Sequence, residues 1–505
     1  MPNISRLAPV NRSAAIPSSA TIRTSRYPIS RLATVLALCA AAACSHNVPS
    51  LPSLASEVSH ASREAAISPI QHVVVVVQEN RSFDNLFATF PGANGATRGK
   101  MKVKQGNGYV DQWVDLQPHT LLMPTDIAHC HSAFRTAYDS GKMDGFNLVP
   151  RGVCNSQGQS AGTLVYQYVR KSDIAQYWDI AERYVLADAM FQTQGSGSFT
   201  AHQDLIRGST AIDSTHSIID NPTLMPWGCD APEQTVTSLL TINGKYLKNQ
   251  GPFPCSNKFP GSYQTLRDLL DAKSVTWKYY SPCFGAWNKN NCDKGCPHTC
   301  AGALLNAFDV IDPVRHGSEW GTNVSMPETN FFDDVTGGTL PAVSWIIPAD
   351  ENNDHPGEKV DHGPSWVAGV VNAIGTSAYW KSTAIVILWD DWGGMYDNAV
   401  PPFQDHTGGL GFRVPCMIVS AYARTGNGSR GGYVAHTRYE FGSVLRYIEQ
   451  TFKLGSLGTT DARAQSILNA FDYSQSPRKF TKIRAQFGPQ SFKARTRAPQ
   501  YGDPE

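Results

Sequence analysis

The stretch "HVVVVVQENRSFDN", residues 72–85, decides the fold. Successive side chains of a strand point to opposite faces of its sheet, so an unbroken β-branched run is a strand buried on both sides. Such a strand belongs inside a mostly parallel sheet covered by helices. The run stops at Glu79, Asn80 and Arg81. A strand that ends abruptly in a carboxylate, an amide and a guanidinium delivers polar groups to the end of the sheet.

Similar apolar runs recur at 184–191, 275–280, 343–348, 383–389 and 414–420. Amphipathic stretches lie between them, at 262–272, 365–375 and 439–452. This alternation predicts an α/β chain with helices on both faces of a central sheet. Segments 210–260 and 281–340 are longer than simple connections and read as inserts or lids within a domain spanning 67–485, with a C-terminal tail over 486–505.

The chain has 505 residues, and 43 Lys and Arg against 42 Asp and Glu leave a net charge of +1, which lacks the basic footprint of a nucleic-acid binder. Residues 1–31 contain five arginines and no acid, and the apolar run "LATVLALCAAAAC" follows at 32–44. This is the pattern of a secretory signal, too short to anchor a bilayer-spanning helix. "AAAC" at 41–44 resembles a lipoprotein box with Cys44 as the lipid-bearing residue; cleavage near Ala43 is the alternative. Residues 45–66, rich in Ser, Ala and Pro, read as a flexible tether. The expected location is outside the cytoplasm: periplasmic, secreted or held on the outer membrane.

Nine cysteines follow Cys44. Cys130 and Cys154, Cys229 and Cys255, and the cluster Cys283, Cys292, Cys296 and Cys300 suit disulfides in an exported chain, and Cys416 lies in an apolar run as a buried thiol. The cluster lacks two clean C-x-x-C knuckles, which favours disulfides over zinc.

In a parallel sheet, ligands gather beyond the carboxyl ends of the strands. Glu79 and Asn80 follow one strand, Asp390 and Asp391 another, and together they form a hard oxygen set suited to a divalent ion. The alternative for each acid alone is a helix cap or a loop contact. In "QTQGSGSFTAHQDLIRGST", 192–210, Ser198 stands near the start of a predicted helix, where amide dipoles favour an anion, and His202 falls on the same face one turn later. Ser198 is a nucleophile or an N-cap; no G-x-S-x-G elbow surrounds it. His129, His355 and His436 lie in polar settings rich in Gly and Pro, as groups for acid, base or phosphate contact.

Six segments in this order, "HVVVVVQENRSFDNLF", "GKMDGF", "GSGSFTAH", "DHPG", "ILWDDWGGMYDNAVPP" and "GLGFRVPCMIVSAYAR", resemble the bacterial phosphoesterase family of phospholipases C and acid phosphatases. The resemblance implies an alkaline-phosphatase-like three-layer α/β sandwich with a mostly parallel sheet. It further implies hydrolysis of a phosphate ester, soluble or phospholipid, at a metal-assisted serine. Carried over by position, Glu79, Asn80, Ser198, Asp390 and Asp391 hold a divalent metal ion (Ca, Mg, Mn or Zn), and Ser198 is the nucleophile. His129 and His355 contact phosphate or serve the leaving group, and His202 joins this catalytic set.

Two departures stand out. Asn398 occupies the place of a family histidine, and the serine segment lacks a "GP-S/T-x-P-N" pattern, which leaves Ser196 and Thr200 as alternatives to Ser198. They support a rival reading, a secreted binding protein that has lost catalysis. A sulfatase-type hydrolase would need a C/S-x-P-x-R motif, which is absent. A lipid-facing surface is expected at 226–232 or 283–287, where "PWGCDAP" and "CFGAW" carry aromatic residues.

Overall fold

The computed structural model describes residues 68–154, 158–282, 305–404 and 409–494. Eight strands form the central sheet: β1 (His72–Gln78), β2 (Val185–Ala187), β3 (Trp277–Tyr280), β4 (Val324–Ser325), β5 (Val343–Ile346), β6 (Thr383–Trp389), β7 (Cys416–Ser420) and β8 (Tyr433–Ala435). Their spatial order is β4-β3-β5-β1-β6-β7-β2-β8. All neighbours are parallel except β7, which runs antiparallel to both β6 and β2. The sheet is thus mostly parallel, with β1 near its centre.

The β-branched run behaves as its composition requires. Val73 through Val77 are at most 1% exposed, so both faces of β1 are covered. Each valine buried in this way contributes about 1.5–3 kcal/mol.

The main helices are α1 (Phe83–Phe87), α2 (His131–Tyr138), α3 (Ala175–Arg183), α4 (Ser198–Arg207), α5 (Leu266–Ala272), α6 (Asn330–Gly337), α7 (Gly363–Gly375) and α8 (Phe441–Phe452). They fall into two groups: α7 packs with α3 and α6, whereas α4 packs with α5 and α8. Two helical groups and a sheet buried on both faces give the layered α/β arrangement expected.

Segment 210–260 carries a small antiparallel sheet of His216–Ile219, Ser238–Thr241 and Tyr246–Leu247. Segment 281–340 returns to the main sheet and supplies its edge strand β4 as well as α6. The fold also continues past residue 485, where a tail was expected to begin. Pro489–Ala494 is helical, and Phe492 is buried edge-on against Trp366 of α7 at 5.1 Å between ring centres. One well-placed aromatic is enough to dock a segment whose composition is otherwise polar.

Two disulfides, Cys130–Cys154 and Cys229–Cys255, join the pairs the sequence grouped, and Cys416 is a buried free thiol. The cluster at 283–300, the leader, Cys44 and the tether lie outside the described residues. Among the described residues no helix is long and apolar enough to cross a membrane.

Candidate active site

Strands β1 and β6 are parallel neighbours in register, with Gln78 opposite Trp389. Both chains therefore leave the sheet at the same level, and the backbone N–H of Asp390 donates to the Gln78 carbonyl at 3.0 Å. Glu79 and Asn80 on one side and Asp390 and Asp391 on the other are driven together by that register. Gly393 lets the two loops approach: its φ is +58°, and a Cβ there would lie 2.1 Å from the Asn80 carbonyl oxygen. Any larger residue would push the loops apart.

Every polar residue of "QENRSFDN" has a defined place. Gln78 donates to the Asn352 carbonyl at 3.2 Å. Arg81 donates from Nε to the Asp354 carbonyl at 2.7 Å, tying the "DHPG" loop to β1. Ser82 is the N-cap of α1, accepting from Asn85 N–H, and its hydroxyl donates to the Tyr396 carbonyl at 2.6 Å. Asp84 accepts from Arg413, and Asn85 donates to the Gln167 carbonyl. Glu79 and Asn80 alone turn toward the serine.

Ser198 opens α4 as its first residue, and the N-cap is Gly197. The capping alternative for this serine therefore falls away. Ser198 Oγ donates toward Glu79 Oε2 and Asp391 Oδ2, each at 3.3 Å, and accepts from Asn80 Nδ2 at 3.1 Å. Asn80 Nδ2 also reaches Asp391 Oδ2 at 2.8 Å and His129 Nε2 at 3.1 Å. Neither alternative to Ser198 has these partners. Ser196 Oγ donates to Asp220 Oδ1 and to Thr200 Oγ1, and accepts from Asp220 N–H.

His202, one turn along α4, brings Nε2 to 3.0 Å from Glu79 Oε1 and 3.8 Å from Asp390 Oδ2. Ligand atoms of Glu79, His202 and Asp390 all lie within 4.8 Å of one another. Burial pushes the Asp390 carboxyl well above the ordinary carboxylate range, and the like charges of Glu79 and Asp391 add to it. Burial also lowers His202, favouring the neutral imidazole.

The donor set fits a divalent cation. Both carboxylate oxygens of Asp390 and the Oδ1 of Asn80 are buried without a hydrogen-bond partner. Orphaned buried oxygens are costly, and a cation would satisfy them. Three carboxylates, an amide oxygen and an imidazole are ligands such ions accept. Sequence reading placed His202 with the catalytic groups; in the structure its ring nitrogen lies next to the carboxylates of Glu79 and Asp390, as a further candidate ligand.

His129 Nδ1 lies 2.6 Å from the Ile127 carbonyl, and His355 Nδ1 lies 2.6 Å from the Pro356 carbonyl. A carbonyl only accepts, so both rings carry their proton on Nδ1 and present Nε2 as the acceptor. The two rings meet edge to face at 5.6 Å. The structure thus brings His129 and His355 together beside the serine cluster. His436 does not join them: its side chain is 66% exposed and pairs with Asp188 at 2.8 Å.

Asn398 accepts from Arg413 Nη2, and its N–H donates to Asp84 Oδ2 at 2.8 Å. Its partners belong to a buried ion-pair network in which Arg413 also holds Asp397 at 2.8 Å. None of them belongs to the serine cluster. The residue in the family histidine's place therefore completes a structural network. Sequence reading also missed the role of Asp354, which accepts from Tyr177 and Trp389 and braces the loop bearing His355. The signal was present, since an acid next to a candidate catalytic histidine is a natural support for it. The expected lipid-facing Trp227 is buried and packs edge-on against Phe199 at 5.5 Å; residues 283–287 lie outside those described.

The model of the Phosphoesterase family matches residues 70–455. The chain belongs to the Phosphoesterase family. The matched region contains every residue of the serine cluster. Among relatives, the non-hemolytic phospholipase C of Burkholderia pseudomallei is 23% identical over 435 residues, covering 77% of this chain and 56% of that protein. Phospholipase C B of Mycobacterium tuberculosis is 24% identical over 461 residues, covering 81% of this chain and 79% of its own. The chain thus spans little more than half the length of the Burkholderia relative. A solved structure of an alkaline phosphatase superfamily protein from Vibrio parahaemolyticus aligns over 78% of this chain and 70% of its own, with 10% identity and a TM-score of 0.31.

Proposed function

We propose that this protein is an exported, metal-dependent phosphoesterase, phospholipase C-like, that works through Ser198. One observation carries the reading: a buried serine at a helix start, held by Asn80 between Glu79 and Asp391, beside orphaned oxygens of a metal-ligating set. The phospholipase C relatives support a phospholipid or related phosphodiester as the substrate class.

Ser198 Oγ forms the bond to phosphorus as the bond from phosphorus to the leaving oxygen breaks. Its proton passes to one of the carboxylates in hydrogen-bond reach, Glu79 or Asp391. A divalent ion held by Glu79, Asn80, Ser198, Asp390 and Asp391, with His202 alongside, would lower the serine's pKa and offset charge on the attacked phosphate. His355 or His129, after taking up a second proton at Nε2 from solvent, gives that proton to the leaving alcohol. The same Nε2 then takes a proton from the water that hydrolyses the phosphoserine, and the carboxylate returns its proton to Ser198. Asn80 fixes the serine rotamer, and the N-terminal amides of α4 face the phosphate oxygens.

A release assay on the purified protein tests this reading, comparing phosphatidylcholine, a simple phosphodiester and a phosphomonoester with and without chelator. The expected result is hydrolysis that a chelator abolishes and a divalent ion restores. No turnover of any of the three with Ca, Mg, Mn or Zn added would contradict it.

A further inference from the structure

Among the described residues, six large apolar side chains are exposed: Tyr109, Val110, Trp113, Ile242, Tyr246 and Val400. They are not scattered. Three lie on one hairpin, Arg98–Gln105 paired with Gly108–Asp115 through the turn 105–108. Two of the others flank α2. Tyr246 stacks on His131 at the start of that helix, with ring centres 6.4 Å apart, and Val400 lies beside Gly141 just beyond its end. The hairpin is tied to the same region, since Lys102 Nζ bridges to Asp139 at 2.5 Å and Asp144 at 3.6 Å.

The hairpin's two faces differ. Gly99 is buried against the rings of Tyr396 and Tyr166, and Met101 and Val114 pack on the small core that contains Ile127, Cys130 and Trp392. Those core residues adjoin His129 and Asp391 in the chain. The opposite face follows from the period of two: Arg98, Lys100 and Lys104 stand across from Asp115, Trp113 and Tyr109, with Arg98 paired to Asp115 at 3.0 Å, while Lys102 on the same face is turned to Asp139 and Asp144. Trp113 is 55% exposed, with the guanidinium of Arg98 5.4 Å and the ammonium of Lys100 5.6 Å from its ring. Tyr109, 56% exposed, stands opposite the exposed Lys104 near the turn.

Exposed aromatic side chains grouped on one face, unlike single ones, mark an interaction surface. Aromatic rings with a polar edge settle at the headgroup level of a bilayer, and neighbouring cations are attracted to anionic lipid. We propose that the outer face of this hairpin docks the protein on an anionic phospholipid surface, with Trp113 and Tyr109 entering the headgroup layer and Lys100 and Lys104 meeting phosphates. The hairpin rests on the core that carries the His129 and Asp391 loops, so docking would hold that part of the enzyme against its substrate. This purpose, though not the docking itself, rests on the phosphoesterase reading.

The test uses the full chain carrying Cys44→Ser, so that no acyl chain contributes, and flotation with phosphatidylcholine vesicles with and without phosphatidylglycerol. The protein is expected to float with the anionic vesicles, and its tryptophan emission to shift to the blue by an amount that Trp113→Phe removes. Trp113→Ala with Tyr109→Ala, and separately Lys100→Gln with Lys104→Gln, should each weaken partition about tenfold, while hydrolysis of a soluble phosphodiester is unchanged. Trp113, Tyr109 and Lys104 are exposed and Lys100 is half-buried, and melting temperature verifies that the variants keep the fold. Failure of the parent chain to float, or parent-like flotation of both variants, would overturn docking. Hairpin-dependent flotation without hydrolysis of any ester would uphold docking and overturn the enzyme.

Discussion

Asn80 Nδ2 and Asp391 Oδ2 are 2.8 Å apart, and each residue is the second beyond the end of its own strand. Parallel pairing of Gln78 with Trp389 makes these two positions equivalent, so the contact follows from strand register. A slip of one residue would turn every side chain of β1 to the other face and dismantle the cluster.

The cation fit predicts the effect of neutral replacements. Glu79→Gln and Asp390→Asn should each lower divalent-ion content and turnover together, because an amide replaces an anionic oxygen ligand. Metal analysis of the purified variants beside their rates checks this. Full metal stoichiometry with full activity in both would place the ion elsewhere.

Much of this was readable from the chain. The runs at 72–77 and 383–389 announced buried strands because no polar face interrupts them, and the acids after them marked the candidate site. Strand direction was not readable: the run containing β7 has the same apolar pattern as its parallel neighbours although it runs the other way. The neighbours of Asn398 were also hidden, since Arg413 and Asp84 come from distant positions that only the fold unites. The hairpin at 98–115 went unnoticed because its basic and aromatic residues meet across strands and do not form one apolar run.

Asp354 should govern stability at mildly acid pH. Burial pushes its carboxyl up to about 7, from an ordinary value of 3.8. In that window the folded chain keeps a proton that the unfolded chain has released, so stability falls as pH rises from about 4 to about 7 and then levels. The full change is about 4 kcal/mol. Urea unfolding across this range should show that loss in the parent and a flatter profile in Asp354→Asn. Identical slopes would remove Asp354 as the cause.

The Cys130–Cys154 bridge closes a loop with a sequence separation of 24 and fixes the segment next to His129. Replacing both cysteines by serine should cost about 3 kcal/mol of stability through the freer unfolded chain. Thermal unfolding of the double variant measures it, and an unchanged melting temperature would show that the bridge does not constrain the unfolded state.

Arg413 is fully buried between Asp397 and Asp84. Arg413→Met leaves two buried carboxylates without their cation and should cost about 3–5 kcal/mol. A change below about 1 kcal/mol in denaturant unfolding would mean that the network relaxes without it.

The mechanism turns on Ser198, and its most direct test is a search for the phosphorylated enzyme. The purified protein is exposed briefly to substrate, quenched in acid and digested, and the peptide spanning 192–207 is examined by mass spectrometry. We expect phosphate on Ser198, none on Ser196 or Thr200, and loss of turnover by several orders of magnitude in Ser198→Ala with the fold intact. Phosphate on Ser196 or Thr200, or an active Ser198→Ala enzyme with no phosphopeptide, would contradict the account.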